Sequence, residues 1–125
     1  MGYKPEGYNS LSPYLVVKDA QALIAFVTEV LGGVELLRHT APDGRIQHAA
    51  LRIDDSVLML GESQPEWPSL PAHLHLYVPD VDAVYQSALR AGASSLQEPV
   101  EAGDGDKRGG VLDGNGISWW FGTQV

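Results

Sequence analysis

Sliding the chain along itself by 61 positions makes its punctuation coincide, and a chain that repeats a supersecondary unit has few folds open to it. Val17-Lys18-Asp19 falls on Val78-Pro79-Asp80, Ala22 on Ala83, Leu51 on Leu112, and Ser56–Gly61 on Ile117–Gly122. Few residues are identical. What repeats is an order: strand, Asp, helix, Gly, then three strands.

Local patterning fills in that order. Leu11–Val17 is apolar and β-rich, and Asp19 is placed to cap a helix, its carboxylate accepting an orphan backbone N–H. Ala22, Leu23, Phe26, Val27, Val30 and Leu31 recur at helical spacing, which predicts one buried face. Gly32-Gly33 ends that helix, and strands are expected at Val34–Thr40, Arg45–Ile53 and Ser56–Gly61, with turns at Pro42-Asp43-Gly44 and Asp54-Asp55. The second half opens near Pro71 with a strand in PAHLHLYV. Asp80 caps its helix, Val81, Val84, Tyr85, Ala88 and Leu89 share a face, and Gly92 stops it. Strands follow at Ser95–Pro99, Arg108–Leu112 and Ile117–Gly122. Residues 63–70, with Pro65 and Pro68, read as an extended linker, and Gly103-Asp104-Gly105-Asp106 as a mobile loop. The expected fold is α+β: two tandem βαβββ modules, about 11–62 and 71–125, within a single domain spanning 1–125. Each sheet packs one face on its helix, and the other faces curve around a cleft.

Composition narrows the function. The chain of 125 residues has no cysteine, which removes disulfides, thiolate nucleophiles and zinc–sulfur sites. Against 8 Lys plus Arg stand 16 Asp plus Glu, a net charge of −8, so no nucleic-acid partner is expected. The same acidity suits a cationic small ligand. No apolar run approaches the ~20 residues that span a bilayer, and MGYKPEGYNS is too polar for a signal peptide. No membrane association is expected, and the expected compartment is the cytoplasm. Neither a Gly-x-Ser-x-Gly elbow nor a GxxxxGK[ST] phosphate loop occurs.

Strand alternation sorts the side chains. Leu15 and Val17 should pack, leaving Ser12, Tyr14 and Val16 on the cleft face. Ala49, Leu51 and Ile53 should pack, leaving His48, Ala50 and Arg52. His73, His75 and Tyr77 share the cleft face of their strand, and Trp120 faces the cleft while Trp119 and Phe121 pack. The predicted ligand-binding set is Tyr14, His48, Arg52, Met59, His73, His75, Tyr77 and Trp120, an aromatic lining with a few polar groups, as small-molecule pockets have. A slip of one residue in register inverts every assignment. The Arg52 fork suits a carboxylate or phosphate on a ligand, or equally a salt bridge to Asp54 or Glu62. Lys107 and Arg108 could swing over the pocket to meet an anion. No spacing identifies catalytic residues, although His48 or His73 has the chemistry of an acid–base group.

The segment SPYLVVKDAQALIAFVTEVLGGVELLR, opening a paired βαβββ plan, resembles the vicinal oxygen chelate superfamily, which includes glyoxalase I, extradiol dioxygenases, fosfomycin-resistance proteins and bleomycin-binding proteins. APDGRIQHAALRIDDSVLML and GDKRGGVLDGNGISWW are similar to its PhnB-like, glyoxalase-related branch. The likeness runs from about Tyr3 to Val125. It implies a homodimer, and a metal test: enzymes of the superfamily draw ligands from the first and fourth strands of each half. Those positions fall on Ser12, Met59, His73 and Trp120, and His73 alone is a ligand of the usual kind. A catalytic divalent site wants three of His, Asp or Glu, so no metal or other cofactor is expected. The resemblance then implies a small-molecule-binding protein with a degenerate metal site, sequestering a cationic or aromatic compound as bleomycin-binding relatives do. The alternative is a metal-dependent lyase, isomerase or dioxygenase that recruits its ion through His73 and His75, with His48 or a dimer partner. A third reading fills the cleft with the chain's own side chains and has it act through protein contacts.

Overall fold

A strand–Asp–helix–Gly–strand sequence buries its apolar residues when the helix lies back across the sheet formed by its own flanking strands. The computed structural model describes residues 2–125 and has this arrangement twice, in two compact units that divide between Leu70 and Pro71. The first holds β1 (Tyr14–Val17), α1 (Ala20–Leu31), β2 (Val34–Thr40), β3 (Ile46–Ile53) and β4 (Ser56–Glu62), with strand order β1-β4-β3-β2. The second holds β5 (Ala72–Tyr77), α2 (Val81–Arg90), β6 (Ser94–Glu101), β7 (Asp106–Leu112) and β8 (Ile117–Gln124), with order β5-β8-β7-β6. In each sheet the first and fourth strands pair in parallel and the remaining neighbours are antiparallel. The α+β class and the paired βαβββ plan are as expected. No described helix is long and apolar enough to cross a membrane.

The repeated aspartates cap both helices: Asp19 Oδ1 accepts from the Ala22 amide at 3.0 Å and Asp80 Oδ1 from the Ala83 amide at 3.2 Å. A second orphan amide in each first turn is met from the end of the fourth strand. Glu62 Oε2 accepts from Ala20 N at 3.3 Å, and Thr123 Oγ1 from Val81 N at 2.9 Å. Glu62 and Thr123 are one repeat apart, so the two halves do one job with a carboxylate and a hydroxyl. Helix α1 stops at Gly32 in the left-handed region, and a Cβ on Gly33 would stand 2.5 Å from Val27 Cγ1.

Helix α1 buries Ala20, Leu23, Ile24, Phe26, Val27 and Val30 against Leu15, Val17, Ala49, Leu51, Leu58 and Leu60. Ala22, expected on that face, is exposed, because it stands at the third helical position with its amide turned to the cap; Ile24 is buried instead. Helix α2 buries Val81, Tyr85 and Ala88, while Val84 and Leu89 are half-buried. The core beneath it contains Val111, Ile117, Trp119 and Phe121.

Several boundaries differ from expectation for local reasons. Pro13 has no amide to donate, so β1 begins at Tyr14 rather than Leu11, although the Pro13 carbonyl still accepts from Met59 N at 3.0 Å. Residues 63–70 are not simply extended: Gln64 and Trp67 exchange both backbone hydrogen bonds, at 3.0 and 2.9 Å, around Pro65-Glu66. The 61-residue offset also fails in the middle strands. Leu51 is fully buried while Leu112 is 37% exposed, and the core partner of Leu51 is Val111. The β3–β4 hairpin turns through Asp54-Asp55, between the paired Ile53 and Ser56. The β7–β8 hairpin closes on the Asp113 N–H to Ile117 C=O bond at 3.0 Å, around Gly114-Asn115-Gly116, one residue more. That extra residue shifts β7 by one against the repeat.

Candidate functional site

In the second unit, alternation along β5 puts His73, His75 and Tyr77 on the face away from α2, in register with Ser118, Trp120 and Gly122 of β8. Trp120 is in turn paired with Gly110 of β7. A Cβ on Gly110 would lie 2.4 Å from Cε3 and Cζ3 of Trp120, so glycine alone lets the indole lie across β7. Likewise a Cβ on Gly122 would lie 3.1 Å from His75 Nε2. The rings settle into these gaps. The His73 and Trp120 rings are nearly parallel, with centroids 6.3 Å apart and an interplanar angle of 13°, and Trp120 Nε1 donates to His73 Nδ1 at 3.0 Å. His75 and Tyr77 meet edge to face at 4.9 Å. All four sequence-predicted residues of this half share one surface.

The same surface recruits the β6–β7 hairpin, whose turn at Gly103-Asp104-Gly105-Asp106 the sequence predicts to be a mobile loop. Strand β7 begins at Asp106, so Asp106, Arg108 and Gly110 alternate onto the ring-bearing face. Asp104 Oδ1 accepts from the Asp106 amide at 3.1 Å, and the Val125 amide donates to the Gly105 carbonyl at 2.9 Å, which ties the turn to the end of the chain. Arg108 is held from two sides: Nη1 donates to Asp104 at 3.1 Å and Nη2 to Asp106 at 2.8 Å. Its Nε then donates to His75 Nε2 at 3.2 Å. Tyr77 donates its hydroxyl to Asp106 at 2.7 Å, and that bond, with the negative charge behind it, raises the phenol above its ordinary range. The amide of Asp106, then the Arg108 guanidinium, hold the Asp104 carboxyl below its usual range. Lys107 points to the other face and pairs with Asp82 of α2 at 2.8 Å. Neither cation swings over the face: Lys107 is turned away, and Arg108 is already fixed within it.

The first unit carries a looser counterpart on the face away from α1. Tyr14 stacks on His48 with centroids 5.6 Å apart and an interplanar angle of 14°, and its hydroxyl is 3.3 Å from His48 Nδ1. His39 of β2 stands opposite His48, ring to ring at 6.2 Å. Partial burial first, and repulsion from His39 second, lower the His48 pKa below 6.5. Met59 lies between Tyr14 and Ala50 in the ladder. Arg52, on the same face, makes no ion pair among the described residues. The expected partner Glu62 belongs to the opposite face, where Oε1 accepts from Ile46 N at 2.8 Å and Oε2 from Ala20 N. The Ser12 hydroxyl is buried without a hydrogen-bond partner.

Sequence reasoning missed His39, Asp104, Asp106, Gly110 and Gly122. The signal for Asp106, Gly110 and Gly122 was the period-two pattern of DKRGG and WFG, readable once β7 is started at Asp106.

With this geometry in place, the chain can be assigned: it belongs to the Glyoxalase/Bleomycin resistance protein/Dioxygenase superfamily, whose family model matches residues 8–121. It is 39% identical over 127 residues to an uncharacterized protein of Mycobacterium bovis, covering 93% of this chain and 84% of the relative. An uncharacterized protein of Mycobacterium tuberculosis matches at the same identity, over 75% of its length. Among solved structures, TioX from Micromonospora sp. ML1 superposes with a TM-score of 0.78 at 24% identity, covering 94% of this chain and 99% of that one. A glyoxalase-related enzyme from Fulvimarina pelagi gives 0.74 at 18% identity, covering 93% and 88%. At these identities the two structures share the fold.

The divalent ion that the resemblance implies does not fit the residues present. Trp and Arg are donors only, so His73 Nδ1 and His75 Nε2 must both be acceptors. Each neutral imidazole has one ring lone pair, and in both it is already engaged. Of the other positions, Trp120 uses its N–H on His73, Met59 is a soft thioether, and the Ser12 hydroxyl is a weak ligand. Among the described residues, no three His, Cys, Asp or Glu come together as a metal site.

Proposed function

We propose that this protein is a metal-independent small-molecule-binding member of the superfamily, of its PhnB-like branch, and that it takes up an aromatic or cationic compound on the surface built by Trp120, His73, His75 and Tyr77. The observation that carries the reading is the engagement of both imidazole lone pairs by donor-only neighbours. It leaves rings to stack on and neither imidazole lone pair open to a metal ion. The Trp120 indole offers a face to a planar group or a cation, and the acidic net charge of −8 favours the cation over long range. The protein works in the cytoplasm as a homodimer, whose pairing would cover exposed sheet edges.

Elemental analysis of the purified protein tests the metal assignment. The expected result is no stoichiometric Ni, Zn, Mn or Fe. Near-stoichiometric metal that disappears in His73→Ala would restore the metal-dependent lyase, isomerase or dioxygenase. A thermal-shift screen of planar aromatic and cationic compounds tests the ligand: hits are expected, and they should be lost in Trp120→Ala. A screen without hits would count against the binding surface. Light scattering of the eluting protein reads the dimer directly.

A further inference from the structure

The hydrogen bonds that occupy the two imidazoles also fix what they show to a ligand. His73 Nδ1 accepts from Trp120 Nε1 at 3.0 Å, so the ring's only proton is on Nε2. His75 Nε2 accepts from Arg108 Nε at 3.2 Å, so its proton is on Nδ1. Neither N–H has a partner among the described residues. The two residues are exposed, two apart on β5, and their side chains stand about 6.7 Å apart along the strand on one face. The acceptors of the face are engaged beside them: Asp106 accepts from the Tyr77 hydroxyl and from Arg108, and Asp104 accepts from Arg108, which is itself a donor.

Resting on the binding role proposed above, we infer that the second unit is a stacking surface whose two imidazoles show a ligand donors only: it selects planar aromatic ligands carrying hydrogen-bond acceptors, such as ring carbonyl or lactone oxygens, over planar hydrocarbons of the same outline. The selectivity is built through the hydrogen-bond partners of the two imidazoles. Trp120 sets the tautomer of His73, and Arg108, braced by its two carboxylates, sets that of His75. A ligand bearing donors would meet N–H against N–H and leave both unsatisfied, which is where discrimination in a partly desolvated site arises.

The test uses the full chain and a neutral pair of probes, coumarin and naphthalene. They share a bicyclic planar outline and differ in the lactone acceptors, and neither carries charge. Imidazole ¹⁵N shifts of the free protein should show the Nε2–H tautomer at His73 and the Nδ1–H tautomer at His75; the reverse at both would overturn the inference without any ligand. Titrations followed on the Trp120 indole N–H signal should give coumarin about fivefold tighter binding than naphthalene, the size of one neutral hydrogen bond. Arg108→Met releases the His75 tautomer and should reduce that ratio while both probes still bind. Equal affinities in the wild type would overturn the donor-only imidazole pair and leave the binding role standing. No response of Trp120 to either probe would overturn both. Should Arg108→Met fail to fold, the tautomers and the wild-type ratio still decide.

Discussion

Two residues without side chains shape the surface that the aromatic residues display. Gly110 and Gly122 were visible in the sequence only as members of GG and FG pairs. What fixes them is the ring each one accommodates, and that depends on a cross-strand register no single segment contains. Gly110→Ala should therefore force the Trp120 ring off β7, break its bond to His73 and cost about 1–3 kcal/mol, the range for overpacking. Urea unfolding and the indole N–H signal of Trp120 measure the two effects. His48 makes a prediction about pH. Its folded-state pKa is lowered, so at neutral and higher pH, where both states are neutral, it leaves stability unchanged. As pH falls below about 6.5 the unfolded chain takes up the proton first and stability declines, levelling once the folded ring has also titrated. His48→Gln should flatten that part of the stability–pH curve, and His39→Gln should move the His48 NMR titration back toward the ordinary value. An unchanged curve in both variants would show that burial and repulsion at this pair are negligible.

Elements were easier to read than their ends. Both helices, both Asp caps and eight strands follow from apolar period and punctuation, because these signals are local and repeat. The β7–β8 turn was not readable, because one additional residue in a polar turn leaves no periodic trace, yet it decides whether Val111 or Leu112 enters the core. Its geometry is organised by Asp113. Oδ1 accepts from the amides of Asn115 at 2.8 Å and Ile117 at 3.0 Å, and Oδ2 accepts from the fully buried indole of Trp119 at 2.8 Å. A carboxylate with these partners is worth more than a turn residue, since it joins two turn amides to a buried indole by charge-assisted hydrogen bonds. Asp113→Ala should cost about 2–3 kcal/mol, as charge-assisted hydrogen bonds do, and should change the near-ultraviolet circular dichroism of Trp119. Asp55→Ala, at the shorter β3–β4 turn where the aspartate accepts from the exposed Ser56 hydroxyl, should change stability by about 0.5 kcal/mol or less, as surface substitutions do. Equal losses at the two turns would mean that Asp113 acts only as a turn residue.

At the scale of the molecule, the repeat made the architecture legible because each half must bury one sheet face under one helix whatever its other face does. The ligand is not legible for the same reason: the face left over is free to diverge, and the two halves have diverged. One has a hydrogen-bonded aromatic surface braced by Asp104 and Asp106; the other has a stacked Tyr14–His48 pair and an Arg52 with no ion partner among the described residues. The consequence for metal follows by linkage. An ion bound only by the folded state, at about 100 times its dissociation constant, adds about 2.7 kcal/mol, which raises the melting temperature of a chain this size by several degrees. This protein should melt at the same temperature with excess EDTA as without it, and added Zn, Ni or Mn should leave the transition in place. To bind an ion, His73 and His75 would first have to give up their bonds to Trp120 and Arg108, a cost that a site lacking a third ligand does not repay. The control is Trp120→Phe, which removes the indole donor and frees the His73 lone pair while keeping an aromatic ring on the face. If either protein gained several degrees with one of these ions, and lost the gain in His73→Ala, the imidazoles would be ligands after all; a gain confined to Trp120→Phe would show that the indole donor is what keeps the wild-type site metal-free.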